Sequence, residues 1–177
     1  MKKTKNNIGI LGGTFDPPHK GHLKISEISI NKLKLSKLFW VITKKNPFKQ
    51  KPYFSIKDRI KRSKNITKKN KNIQVRYYDQ KIGSSSSIDL INYLKNKNKN
   101  SNFFFIIGSD NLVNFHKWKG CKNIVKASKI VVFSRKDYDA KGKKSVIVKS
   151  VGKKKIKFIN NKKINISSSQ IRKNYLS

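Results

Sequence analysis

Acid is scarce in this chain. Eight Asp and Glu stand against 44 Lys and Arg in 177 residues, for a formal net charge of +36. With so few carboxylates, a metal caged by acidic side chains is not expected, and no metal ligands are assigned. Cysteine is scarcer still. Cys121 stands alone, which excludes an intrachain disulfide framework and fits a reducing, cytoplasmic compartment. Zinc fares no better: it needs four ligands, and beyond His19 and His22 only His116 and Cys121 remain, without paired spacing. Long apolar runs are missing too. Phe103 to Ile107 and Ile130 to Phe133 are strand-sized, well short of the roughly 20 residues of a membrane helix. The basic start runs straight into an apolar strand, which is not the build of a secretory signal.

Arginine is the last shortage. Arg59, Arg62, Arg76, Arg135 and Arg172 are the only five. A dedicated reader of nucleic acid leans on Arg for bidentate contacts, and the lysines here are spread among Asn and Ile along the whole chain. The charge therefore reads mainly as residue bias on the surface, with attraction of polyanionic substrates as its consequence. A basic nucleic-acid-binding protein stays open as the reading from a different class.

What is present is an alternation of strand and helix signals. At this length one domain, residues 1–177, is the natural count. Strands are expected at Ile8 to Leu11, Lys37 to Thr43, Ile73 to Tyr78, Phe103 to Ile107, Lys129 to Arg135 and Lys155 to Ile159. Helices are expected from Leu23, from Ser55 to Ile66 under a Ser55 cap, from the serine run Ser85 to Ser87, and around Asn111 to Phe115 with Asp110 as cap. Lys95 to Asn102 and Lys136 to Lys155 read as loops. The pattern is that of an α/β protein, a Rossmann-like doubly wound parallel sheet in a single domain.

The stretch Gly12-Gly13-Thr14-Phe15-Asp16-Pro17-Pro18-His19-Lys20-Gly21-His22 organises the rest. Strand, glycine turn and helix start together make a phosphate site: small residues let the backbone approach an anion, and free N–H groups point at it. Two imidazoles three residues apart share a helix face above it. The stretch fits neither the P-loop nor the Gly-x-Gly-x-x-Gly fingerprint. A structural turn whose histidines only cap and pack is the alternative.

This stretch resembles the signature of bacterial nicotinate-nucleotide adenylyltransferases, within the HxGH nucleotidyltransferases. The resemblance continues in order along the chain, excepting roughly 136 to 155. It implies transfer of the adenylyl group of ATP to nicotinate mononucleotide, giving nicotinate adenine dinucleotide and pyrophosphate. A related enzyme using nicotinamide mononucleotide, or another phosphate acceptor, remains the alternative. In the implied site His19, His22 and Arg172 are catalytic. ATP is held by Gly12, Gly13, Thr14, Phe15, His19, His22, Gly108, Asp110, Arg135, Ser167, Ser168, Ser169 and Arg172. The acceptor nucleotide is held by Lys49, Ser87, Trp118 and the backbone of Lys119. Ser86 replaces the family's aromatic residue, and Ser169 its threonine. Mg²⁺ is expected to arrive with ATP. The chain ends five residues after Arg172, where relatives add another helix. Oligomeric state is not fixed by any of this.

Overall fold

The computed structural model describes residues 5–46, 48, 50–135, 137–161 and 167–176. In chain order the elements are β1 (Asn6–Gly13), α1 (Lys20–Leu33), β2 (Lys37–Ile42), α2 (Ile56–Thr67), β3 (Ile73–Tyr77), α3 (Asp79–Ile82), α4 (Ser87–Lys97) and β4 (Ser101–Gly108). They continue with α5 (Ser109–Val113), α6 (Cys121–Ala127), β5 (Lys129–Phe133), α7 (Asp139–Lys143), α8 (Val146–Val151), β6 (Ile156–Ile159) and α9 (Ser168–Leu176). Short 3₁₀ turns lie at Phe115–Lys117 and Lys153–Lys155.

The six strands form one parallel sheet in the order β3-β2-β1-β4-β5-β6. Alternate side chains explain why both faces are covered. Ile8, Ile10, Phe39, Val41, Phe103, Phe105, Ile107, Ile130 and Val132 face one way, against α4, α5, α6 and α8. Leu11, Leu38, Trp40, Ile42, Ile106, Val131 and Phe133 face the other, against α1 and α2. Strands buried on both faces must be apolar over their buried stretch, as β2 is from Leu38, β4 from Phe103 to Ile107 and β5 from Ile130. The strand order reverses between β1 and β4, so connections diverge there and leave a crevice at the carboxyl ends of the strands.

Three expectations need correction. The 136–155 segment is not a loop: it holds α7, α8 and a 3₁₀ turn, and Ile147 and Val148 are buried against the sheet. Lys95 to Asn102 is mostly structured, because α4 runs to Lys97 and β4 begins at Ser101. Asp110 does not cap a helix; Gly108 holds the N-cap position of α5, and Asp110 lies within its first turn. Among the described residues no helix is long and apolar enough to cross a membrane.

Candidate active site

The loop from β1 to α1 is held in an uncommon shape. Phe15 has φ of 48°, left-handed for a residue with a side chain, a conformation that costs on the order of 1–2 kcal/mol. Its ring is buried, stacked on Trp40 at 4.8 Å and under His22 at 4.9 Å. Phe15 thus supports an imidazole from beneath. The indole N–H of Trp40 donates to Ser26 Oγ (2.7 Å), which donates to the His22 carbonyl (2.7 Å). One aromatic stack and one hydrogen-bond relay therefore fix the first turn of α1.

The two histidines cap that turn reciprocally. His19 is the N-cap, and its Nδ1 accepts the Gly21 N–H at 3.1 Å. His22 Nδ1 accepts the His19 N–H at 3.3 Å. A ring nitrogen that accepts a backbone N–H carries no proton, so in this arrangement the proton of each ring sits on Nε2. The ring centroids are 3.9 Å apart. Burial, with the Arg135 guanidinium adding to it, pushes His19 from 6.5 down to about 4. The helix start is thus a pair of N–H donors.

Arg172 reaches this loop from the last helix. Its Nη1 donates to the Asp16 carbonyl at 2.6 Å and lies 3.4 Å from Asp16 Oδ2, while Nη2 donates to Ser169 Oγ at 3.1 Å. Ser168 Oγ donates to the Pro17 carbonyl at 2.9 Å. Ser167 and Gln170 form a capping box, with the Ser167 N–H on Gln170 Oε1 and the Gln170 N–H on Ser167 Oγ. The first and last motifs are therefore joined. Asp16, to which the sequence reading gave no task, is the joint: its carboxylate also accepts the N–H groups of Tyr53 and Phe54, both at 2.9 Å.

On the β4–β5 side, Arg135 Nε lies 3.4 Å from Asp110 Oδ1. That oxygen is buried and accepts no hydrogen bond from the described residues. Gly108 is required beneath them, since a Cβ would run into Asp110 Oδ1 and come 3.0 Å from Arg135 Nε. The Arg135 N–H is held by Ser109 Oγ and Asp139 Oδ1, both at 2.9 Å. Burial would raise the Asp139 carboxyl, yet the Ser109 hydroxyl and the Arg135 N–H outweigh it and hold the group below its usual range. α7 thereby positions a residue of the crevice.

Beside the loop opens a cavity of about 460 Å³, lined by Gly12, Gly13, Phe105, Trp118, Lys119 and the serines at the start of α4, among others. Trp118 meets Phe105 edge-on at 6.2 Å. Ser87 is the first residue of α4, and Ser86, its N-cap, has a buried hydroxyl oxygen without a hydrogen-bond partner among the described residues. Aromatic walls, lysines and free helix N–H groups suit a flat, anionic ligand. Of the residues expected in the site, Lys49 lies outside the described residues, as do Asn165 and Ile166 of the last motif.

Residues 10–174 match the family model described as cytidylyltransferase-like. The chain is 54% identical to a probable nicotinate-nucleotide adenylyltransferase of Pelagibacter ubique (strain HTCC1062), over 98% of this chain and 94% of that protein. It is 33% identical to a probable nicotinate-nucleotide adenylyltransferase of Rhizobium meliloti (strain 1021), over 72% of this chain and 68% of that protein. Its fold is similar to that of a Plasmodium falciparum nicotinic acid mononucleotide adenylyltransferase complexed with NaAD: the TM-score is 0.73 at 23% identity, covering 95% of this chain and 83% of that one.

Proposed function

Because the chain belongs to the cytidylyltransferase-like family and, within it, to the nicotinate-nucleotide adenylyltransferases, we propose that it transfers the adenylyl group of ATP to nicotinate mononucleotide. The 5′-phosphate oxygen of the mononucleotide bonds to the α-phosphorus. The bond from that phosphorus to the bridging oxygen breaks, and pyrophosphate leaves, with nicotinate adenine dinucleotide as the second product.

One observation carries this reading for the site: both Nδ1 atoms are occupied by backbone N–H groups, so His19 and His22 offer two Nε2–H donors to phosphate. Such fixed donors stabilise charge that develops on phosphate oxygens without reorganising at the moment of reaction. Arg172 and the turn Ser167–Ser169 brace the β- and γ-phosphates of the leaving group. Gly12, Gly13 and Thr14 let the backbone approach the nucleotide. Asp110 takes the ribose hydroxyls on its carboxylate, and Arg135 stacks beside adenine. Trp118 lies on the pyridine ring, with the Ser87 hydroxyl and the Lys119 N–H on its carboxylate. Mg²⁺ comes as part of the ATP substrate. The side chains facing the phosphates are imidazole N–H, guanidinium and hydroxyl, which donate to anions rather than ligate magnesium. Asp16 is already occupied by two N–H groups and Arg172. On this reading the protein acts as one domain in the cytoplasm, a compartment that ATP chemistry and the single thiol suit.

The test is pyrophosphate release with MgATP and either nicotinate or nicotinamide mononucleotide. Turnover of the acid, with the amide much slower, is expected. No release with either acceptor defeats the reading, and equal rates remove the carboxylate roles of Ser87 and Lys119.

A further inference from the structure

Arg59 is the one buried guanidinium among the described residues, at 2% exposure, and it makes no ion pair within salt-bridge distance there. Its partners are carbonyl oxygens from three segments. Nη1 donates to Thr14 (2.7 Å) and Thr43 (2.8 Å), Nη2 to Lys44 (3.3 Å), and Nε to Phe54 (3.1 Å). These positions are not arbitrary. β1 and β2 are paired through Gly13 and Ile42, and the Thr43 N–H still donates to Gly13 at 3.0 Å. The next pair in register is Thr14 with Thr43. There the strands part, one towards the histidine loop and the other along the cavity wall, and Arg59 takes both carbonyls. The guanidinium is a plug at the split.

The grip sets direction as well as distance. In a trans peptide the N–H points opposite the carbonyl. Drawing the Thr14 oxygen inward turns the Phe15 N–H outward, and drawing the Lys44 oxygen inward does the same for Lys45. Neither N–H has a hydrogen-bond acceptor among the described residues. One belongs to the phosphate loop, and the other to a residue lining the cavity. On the far side, Asp79 Oδ2 accepts the Lys44 N–H at 2.8 Å, so that loop is held from two directions.

We propose that Arg59 is a positioning residue, which by clamping the Thr14, Thr43 and Lys44 carbonyls fixes the ATP loop relative to the acceptor loop and aims one N–H from each at the two reacting phosphates. It touches neither substrate. The inference rests on the adenylyl-transfer reading above, since only a reaction between two bound phosphates needs two loops in register.

The test is Arg59→Lys, which keeps charge and length but loses the planar fork. Each substrate still has its own loop, so binding persists while in-line alignment suffers, and misplacement by about 1 Å costs roughly 100-fold in rate. The expected result is a kcat lower by roughly 30- to 100-fold, with both KM values within about threefold of wild type and a cooperative thermal transition retained. A kcat within about twofold of wild type, or a change confined to KM, overturns the proposal. If Arg59→Lys does not fold, Arg59→Ala is assayed with sub-denaturing guanidinium ion. Recovery of kcat supports the clamp; recovery of the thermal transition without kcat overturns it. Wild type is run alongside: if it releases no pyrophosphate, the adenylyl-transfer reading fails, whereas an active wild type with an unaltered variant sinks only the clamp.

Discussion

A single side chain in this site can carry two tasks: His22 caps α1 through Nδ1, and in the proposed reaction its ring also serves a phosphate. Loss of the ring in His22→Ala should lower kcat by about 100- to 1,000-fold, the usual effect of removing one fixed donor to a developing charge. The aromatic stack below should keep the protein folded, which circular dichroism would check. His19 makes a pH prediction. Its imidazole titrates at about 4 in the fold, below its ordinary 6.5. Between those values the unfolded chain binds a proton that the folded one refuses, so the stabilisation is complete above 6.5 and fades as pH falls towards 4. Melting temperature should therefore drop more steeply with acid in wild type than in His19→Gln. Trp118→Ala should raise KM for the acceptor by about tenfold, since stacking on a heteroaromatic ring is worth about 1–3 kcal/mol, and leave KM for ATP unchanged in initial-rate measurements. The histidines, Asp110, Trp118 and Arg172 could be picked from the chain because their spacing is a motif. The tasks of Asp16 and Arg59 could not, because their partners, mostly backbone atoms, are distant in sequence. The available signal for Arg59 was arginine itself, since the 44 cations include only five guanidinium groups.

Elements were legible where burial on both faces leaves an unbroken apolar run, as in β2, β4 and β5, and where a cap is written into the sequence, as at Ser55. They were hidden where a helix is too short to show a period. α7 and α8 have five and six residues, less than two turns each, and they are held by Gly142 against Ser109 and by Ile147 in the core. α9 depends on a surface clasp. Arg62 lies over the Phe54 ring at 4.3 Å and the Tyr175 ring at 5.5 Å, and donates to the Tyr175 hydroxyl at 3.2 Å. Tyr175→Ala should loosen the helix that carries Arg172. KM for ATP is expected to rise several-fold while KM for the mononucleotide holds; parallel rises in both would show that α9 supports more than the triphosphate end.

At the scale of the molecule, the net charge of +36 acts in two directions at once. Mutual repulsion of the lysines opposes the compact state, while their field gathers anionic substrates. Added salt screens both. Melting temperature should thus rise with sodium chloride while kcat/KM for ATP falls, and a neutral osmolyte should reproduce only the first effect. This charge was plain in the sequence, but the crevice was not, because only the sheet order brings the ends of β1 and β4 together.

Asp16 and Pro17 receive Arg172 and Ser168 across 156 and 151 positions of chain. Because synthesis runs from the amino end, the sheet and both imidazoles are made before Arg172, the residue proposed to brace the leaving group. A polypeptide halted after β6 would carry a whole sheet and both imidazoles, and on the proposed reading it should release no pyrophosphate. Errors of translation or a late proteolytic nick would therefore register as lost turnover well before they register as lost solubility.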